Sequence, residues 1–378
     1  MIVGIDASNI QNGGGVTHLL ELLNKSDPKK HEFDFIVVWS NKSILNLIND
    51  NTWTVKRNPR ILNSSLFYRL YWQIFKLKTA AINEKCDLLF TPGGNNLSGF
   101  QPSVSMCRNM LPFEWRELSR FGLSFKTLKL LLLRFSHLRS FKKSTGLIFL
   151  TRYAEKRIKP LIQFNNSITE IIPHGISDRF FSVPKIQKDC SDFSFSNPCK
   201  ILYVSIIDLY KHQWNVVKAV SMLREKGIPI ELKLVGSFSS GKKKLFKQLG
   251  KTKNHKEYIK ITGGLSYLQL HQSYINSDIC LFASSCENMP NILLEGMASG
   301  LPIACSSRGP MPEILKDGGL YFNPENPEEI ANAVQILVES KQRREEFAKI
   351  SSHYAKYFSW DNCARSTFKF LNDIKNVI

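Results

Sequence analysis

Short apolar runs alternate with longer stretches of helical period along most of the chain. The runs from Ile2 to Asp6, Phe33 to Trp39, Cys86 to Thr91, Pro102 to Arg108, Thr145 to Leu150 and Ile168 to Ile172 have strand length. A second series follows: Lys200 to Val204, Ile230 to Val235, Tyr258 to Thr262, Ile279 to Ala283 and Leu301 to Cys305. Between and after them, helices are predicted from Thr17 to Asn24, Ser266 to Tyr274, Pro290 to Ser299, Pro324 to Ser340, Arg343 to Tyr357 and Trp360 to Ile378. Strands that alternate with helices predict α/β domains built on parallel sheets.

The two series share the theme but not a sequence repeat. Residues 181–199 separate them, carrying Pro, Ser, Lys and Asp with little periodicity, and read as a linker. The expected organisation is a Rossmann-like domain over 1–180, a linker over 181–199, a second Rossmann-like domain over 200–357, and a terminal helix over 358–378. A chain of 378 residues is comfortable for two domains and buries a core without staples.

Charge and cysteine usage narrow the class. The net charge is +19, and residues 1–190 carry 27 Lys and Arg against 14 Asp and Glu. A basic first half favours an anionic partner: membrane lipid or a pyrophosphate-linked acceptor. No nucleic-acid motif is present, so nucleic acid is not expected as a partner. The eight cysteines form no Cys-x-x-Cys pair, which argues against a zinc site and for a reducing compartment. Met1 to Ile5 has no basic leader, and the Leu128 to Phe135 run is broken by Lys129 and Arg134. A cytoplasmic location is expected, extended to the inner face of the cell membrane as a peripheral site.

The densest candidate chemistry lies between Asp278 and Ile314. The strand ends in a small polar loop, Ser284 to Met289, holding Glu287, and Pro290 suits a first helical position. Gly300 is a natural stop. Asn291, Glu295 and Ser299, spaced by four, form one polar stripe, while Ile292, Leu293, Met297 and Ala298 are available to face the sheet. The free N–H groups of a helix start attract phosphate. A carboxylate further in is placed to accept hydrogen bonds from a sugar diol. The unit lies at the carboxyl edge of a parallel sheet, where open α/β sheets bind ligands.

Glu287-Asn288-Met289-Pro290-Asn291 and Ile292-Leu293-Leu294-Glu295-Gly296-Met297-Ala298-Ser299-Gly300-Leu301-Pro302-Ile303 resemble the Glu-x7-Glu segment of family 4 retaining glycosyltransferases. Pro312-Glu313-Ile314 extends the match. The resemblance implies the GT-B fold, in which two Rossmann-like domains face across a cleft and the C-terminal helix crosses back. It implies transfer of a sugar with retention from a nucleotide-sugar, UDP- or GDP-linked, without a metal or other cofactor. No Asp-x-Asp pair is present.

The same resemblance suggests roles. Gly13, Gly14 and Gly15 match a glycine loop over the donor's phosphates. Ser205 and Lys211 lie on the loop that neutralises the departing diphosphate, although the arginine expected there is replaced by Ile207 or Asp208; His212 or Arg308 stand as substitutes. Met289, Pro290, Asn291 and Ile292 match the phosphate-binding helix start, and Glu295 the ribose contact. Glu287 would meet the sugar's hydroxyls or its developing charge. Arg108 falls where many members have a histidine, with Asn109 and Glu114 beside it; Arg108 either takes part in the site, binds a phosphate or caps a loop. Pro173-His174-Gly175-Ile176 resembles the run closing the first domain, which puts His174 in a loop near the cleft.

The expected function is sugar transfer to a glycan or a polyprenyl-pyrophosphate-linked acceptor, in cell-surface polysaccharide assembly of the O-antigen, lipopolysaccharide or capsule type. The departures at Ile207-Asp208 and Arg108 keep a second reading, a non-catalytic sugar-nucleotide or glycan-binding subunit, and an epimerase of the same fold is a third. Two stretches, Ser64 to Ala81 and Leu118 to Lys143, mix aromatic and aliphatic residues with bases. Each reads either as a membrane-surface helix or as a core-packed helix with a solvated basic face.

Overall fold

The computed structural model describes residues 1–162 and 167–376. Among these residues the first seven strands form one parallel sheet: β1 (Ile2–Asp6), β2 (Phe35–Trp39), β3 (Thr54–Arg57), β4 (Leu88–Thr91), β5 (Ser103–Cys107), β6 (Gly146–Phe149) and β7 (Ile168–Ile171). Their order is β3-β2-β1-β4-β5-β6-β7. Ile5 of β1 lies opposite Val38 of β2 and Phe90 of β4. All three are fully buried, which is why these central strands read as near-continuous apolar runs.

The second sheet holds β8 (Cys199–Val204), β9 (Ile230–Val235), β10 (Ile259–Thr262), β11 (Ile279–Phe282), β12 (Ile303–Ser306) and β13 (Gly319–Phe322). It too is parallel, in the order β10-β9-β8-β11-β12-β13. Both sheets are doubly wound. The strand order reverses between β1 and β4 in the first and between β8 and β11 in the second.

Two strands escape the apolar pattern. Thr54–Arg57 and Gly319–Phe322 are edge strands, and β3 ends in Lys56 and Arg57. The charge on β3 suits an edge, which is only partly covered; Gly319–Phe322 is uncharged, and its Leu320 and Tyr321 are only partly buried.

The chain divides into two compact units. The first comprises Met1–Phe113, Leu123–Gly175 and Ser359–Ile378; the second comprises Glu114–Gly122 and Ile176–Phe358. The boundaries therefore differ from those expected at residues 180, 200 and 358, and a segment of the first half is built into the second unit. The expected linker is not free: Ser182 donates its amide to the Ala298 carbonyl at 3.0 Å. Arg344, fully buried, donates Nη2 to the Lys188 carbonyl at 2.6 Å and Nε to Gln187 Oε1 at 3.2 Å. A guanidinium has enough donors to bind this irregular segment to its unit.

Helix details also shift. The stretch from Leu118 to Lys143 holds two helices, Trp115–Ser119 and Phe125–Lys143, broken at Gly122, whose φ of 57° suits glycine. Ser64 to Ala81 contains a π-turn at Trp72–Lys76 between Leu66–Tyr71 and Leu77–Asn83. That extra residue per turn turns both Trp72 and Gln73 inward. The terminal helix runs Trp360–Asn376, and the last two residues of the expected span lie outside the described residues.

Candidate functional site

In the second unit the loops after β8 and β11 flank the point where the strand order reverses, and each delivers one candidate residue. Lys211 closes the short turn Leu209–Lys211, and Glu287 lies in the loop after β11. The Lys211 ammonium donates a hydrogen bond to Glu287 Oε1. Their side chains are only 9% and 15% exposed, so the pair is largely shielded from water. The Lys211 ammonium also lies 5.1 Å from the centroid of the Tyr210 ring and 5.3 Å from that of Phe282. Tyr203, from β8, donates its hydroxyl to the Lys211 carbonyl at 2.6 Å. Aromatic rings, a backbone anchor and a carboxylate thus hold the lysine at a sheet's carboxyl edge, where ligands bind.

The loop after β8 supplies no arginine. Ile207 is buried and pairs with Phe238 through an isolated bridge. Asp208 accepts from the Leu209 amide at 2.7 Å and from Ser239 Oγ at 3.0 Å. Both residues shape the loop. Ser205 does likewise: it is buried, accepts from Gln213 Nε2 at 2.8 Å and donates to the Ile206 carbonyl at 3.1 Å. Of the two substitutes named for the arginine, Arg308 is partly buried and donates Nη2 to Asn323 Oδ1 at 3.4 Å. His212 is buried, with Nε2 2.8 Å from Ser285 Oγ, and burial pushes its pKa down to about 3. A neutral imidazole adds no charge to a diphosphate site.

The helix after Glu287 runs Asn291–Ala298, with Pro290 as its cap at φ −80° and ψ 95°. Pro290 is therefore not the first helical residue: its extended ψ sets the entry angle, and the Leu293 amide donates to its carbonyl at 3.0 Å. The amides of Asn291 and Ile292, in the first turn, have no intrahelical acceptor. Met289 is buried just before them. Leu293, Leu294, Met297 and Ala298 are buried, while Ile292, expected to face the sheet, is only partly covered. Gly300 ends the helix at φ 65°, as expected.

Glu295 is partly buried and accepts from the Tyr274 hydroxyl at 2.9 Å. Burial pushes its carboxyl up to about 7, against the opposing effects of the Tyr274 hydrogen bond and Arg179. Asn291 Oδ1 and Ser299 Oγ, on the same stripe, have no partner among the described residues.

A group the sequence did not point to lies beside this loop. Ser285 Oγ donates to Glu117 Oε2 at 2.7 Å, and Arg120 donates to both Glu117 oxygens, Nε at 2.7 Å. Arg116 and Arg120 both pair with Glu325. The run Glu114–Gly122 is thereby fixed to the loop that carries Glu287. The alternation of Arg116, Glu117 and Arg120 is the only trace of it in the sequence; their partners are long-range.

Of the remaining candidates, all but Glu114 belong to the first unit. Gly13 caps a helix that runs Gly14–Asn24, so two of the three glycines lie in its first turn rather than in a loop. A side chain at Gly15 would meet Arg108 Nη1 at 3.1 Å. Arg108 thus lies under the helix start, where burial lowers its pKa to about 10. Asn109 is exposed, and its Oδ1 accepts from the Leu111 amide at 3.0 Å. Glu114 is buried.

His174 is buried in the first unit. Its ring lies 4.8 Å from that of His18 and 5.8 Å from that of Trp360. Burial first, then the charge of Arg108, holds His18 well below the usual histidine range. His174 is lowered by burial, His18 and Arg108. His18, His174 and Cys363 have donor atoms within 4.8 Å of one another. The Arg108 guanidinium acting on both imidazoles opposes a further cation there.

Residues 189–353 match the family model described as glycosyl transferases group 1. A D-inositol 3-phosphate glycosyltransferase of Paenarthrobacter aurescens is 22% identical over 206 residues, 53% of this chain and 50% of that protein. The chain spans 20%, 61% and 50% of three curated relatives it matches. Among solved structures, sucrose-phosphate synthase from Thermosynechococcus elongatus superposes with a TM-score of 0.77 at 17% identity, covering 100% of both chains. The Anabaena protein HepE in complex with UDP gives 0.70 at 16%, covering 98% of this chain and 99% of that one. Likeness at this identity establishes the GT-B glycosyltransferase fold.

Proposed function

We propose that this chain, whose residues 189–353 belong to the glycosyl transferases group 1 family, moves a sugar from a nucleotide-sugar to an acceptor hydroxyl. The observation that carries the reading is the meeting of Lys211 and Glu287 at the switch point of the second sheet. A diphosphate arriving at the open amides of Asn291 and Ile292, beside Met289 and Pro290, offers Lys211 a second anionic partner. Lys211 then stabilises the charge that develops as the diphosphate leaves, the kind of electrostatic assistance that dominates many transfer reactions. Glu287, released or shared, faces the sugar's hydroxyls and the positive charge at its anomeric carbon. Glu295 accepts the ribose hydroxyls.

The finer assignments belong to the same proposal. The enzyme is a family 4 member, retaining and metal-independent, of hexosyltransferase type, with a UDP- or GDP-linked donor and no cofactor. Gly13, Gly14 and Gly15 take part in donor binding, Arg108 and Asn109 act with the acceptor, and Ser205 shapes the donor loop. The acceptor is a glycan or a polyprenyl-pyrophosphate-linked saccharide in surface polysaccharide synthesis at the cytoplasmic face of the membrane. The basic first half supports an anionic acceptor.

One observation favours a second reading, a sugar-nucleotide-binding subunit without turnover. The positions expected to hold an arginine carry a buried Ile207 and an acid, Asp208, engaged in its own loop, and neither side chain is a cation to stand beside Lys211. A thermal-shift panel of UDP-, GDP- and ADP-sugars identifies the donor, since a ligand bound by the native state raises the melting temperature. Transfer assays with that donor and Lys211→Ala or Glu287→Gln then separate the readings. Stabilisation with turnover that falls in both variants supports transfer. Stabilisation without turnover by any acceptor tried supports the binding subunit.

A further inference from the structure

We infer that the helical face of the first unit carrying Phe125–Lys143 docks on an anionic lipid bilayer. This helix is built inside out. It turns His137, Ser140, Leu130 and Phe141 inward. Ser140 Oγ accepts from the Asn96 amide at 2.6 Å and donates to the Asn96 carbonyl at 2.9 Å, so its inward position is satisfied by the neighbouring loop. The outward positions follow steps of three and four along one line: Phe125, Leu128, Leu132, Phe135, then Arg139 and Lys142. The four apolar members are 82%, 54%, 62% and 69% exposed, and Leu123, just before the helix, is fully exposed. From Phe125 to Lys143 there is no Asp or Glu. An exposed line of aromatic and leucine side chains that continues into bases, with no acid along it, suits the boundary between acyl chains and anionic headgroups.

The stretch Leu66–Asn83 repeats the chemistry. Phe67, Ile74 and Phe75 are 73%, 45% and 62% exposed, with Lys76 and Lys78 exposed among them. It connects β3 to β4, and Phe125–Lys143 lies between β5 and β6; both connections step in the same direction across the sheet. Right-handed crossovers that step the same way lie on the same face. The two apolar lines therefore share one side of the first unit.

A bilayer fits this face better than a second copy of the chain. Self-association would bring together two surfaces rich in Lys and Arg and free of acids, whereas anionic lipid complements them. No helix among the described residues is long and apolar enough to cross a membrane, so contact at the surface is the mode available to them. The inference rests on side-chain exposure and not on sugar transfer, so either can fail while the other stands.

The test is co-sedimentation of the full chain with phosphatidylcholine vesicles, with and without phosphatidylglycerol, at low and high salt. Three chains are compared: the unaltered protein, Leu128→Ser with Leu132→Ser, and Arg139→Gln with Lys142→Gln. All changes are at the surface, and circular-dichroism melting checks that each variant folds. The expected result is binding to the anionic vesicles at low salt, weakened at high salt and lowered about tenfold or more in each double variant. No binding to anionic vesicles at low salt overturns the inference, as does binding that neither double variant changes. Sedimentation velocity showing a dimer that Leu128→Ser with Leu132→Ser dissolves also overturns it, by assigning the face to a second copy.

Discussion

Lys211 and Glu287, 76 residues apart in the chain, are joined by a hydrogen bond across the switch point of the second sheet. Neither side chain has much water to fall back on. Removing one partner leaves the other charge buried and uncompensated, which typically costs about 3–5 kcal/mol. Lys211→Met and Glu287→Leu should each lower stability on that scale in urea denaturation, and the double variant should recover most of the loss. The double variant should nonetheless be inactive. Recovered stability without recovered transfer would separate the pair's structural part from its chemical one.

Glu295 gives the protein a pH dependence of definite sign. Its folded pKa, about 7, stands above the ordinary 4.5, so the folded state holds a proton that the unfolded state releases. Stability from this group should therefore fall as pH rises from about 4.5 to about 7 and level off above. Glu295→Gln should flatten that slope in melting curves taken across the range. Nucleotide affinity should instead increase through the same interval in the unaltered protein, because the ionised carboxylate is the stronger acceptor for a ribose diol.

Arg108 is a buried cation beside two neutral histidines, an arrangement that costs stability. Arg108→Met should leave the first unit as stable or more stable, by up to about 1–4 kcal/mol. It should also raise the titration points of His18 and His174, since Arg108 lowers both. Imidazole proton shifts in NMR would follow this directly. Transfer should fall in the same variant if Arg108 serves the acceptor.

Glu117 bridges Arg120 and Ser285, the latter on the loop that presents Glu287. Glu117→Ala leaves both donors without that acceptor and should destabilise by about 1–3 kcal/mol. A rise in KM for the donor larger than the fall in kcat would be the expected kinetic mark of a loosened loop.

Much of the fold was legible because parallel strands covered on both faces read as uninterrupted apolar runs, as Ile2–Asp6 and Ile279–Phe282 do. Thr54–Arg57 was not legible because it carries Lys56 and Arg57, and Gly319–Phe322 because it opens on a glycine in a short run; the partly covered edge strands Ile168–Ile171 and Ile259–Thr262 were legible. The start of the helix at Gly14 was hidden by glycine's poor helix propensity, which tertiary context overrode. Glu287, Lys211 and Glu295 were visible as residue types in the right loops. Their geometry was not: the Lys211–Glu287 bond and the clasp from Glu117 to Ser285 are long-range contacts with no local signal. Arg108 was visible as a departure from a pattern, but only packing shows it drawn under Gly15.

Steady-state transfer with the donor that stabilises the protein most, compared among the unaltered chain, Lys211→Ala and Glu287→Gln, tests the central claim most directly. A drop in kcat of about 10²–10³ in Lys211→Ala, with a comparable loss in Glu287→Gln and donor binding retained in both, is the expected outcome. Transfer that proceeds unchanged in both variants would contradict the assignment of this pair as the catalytic site.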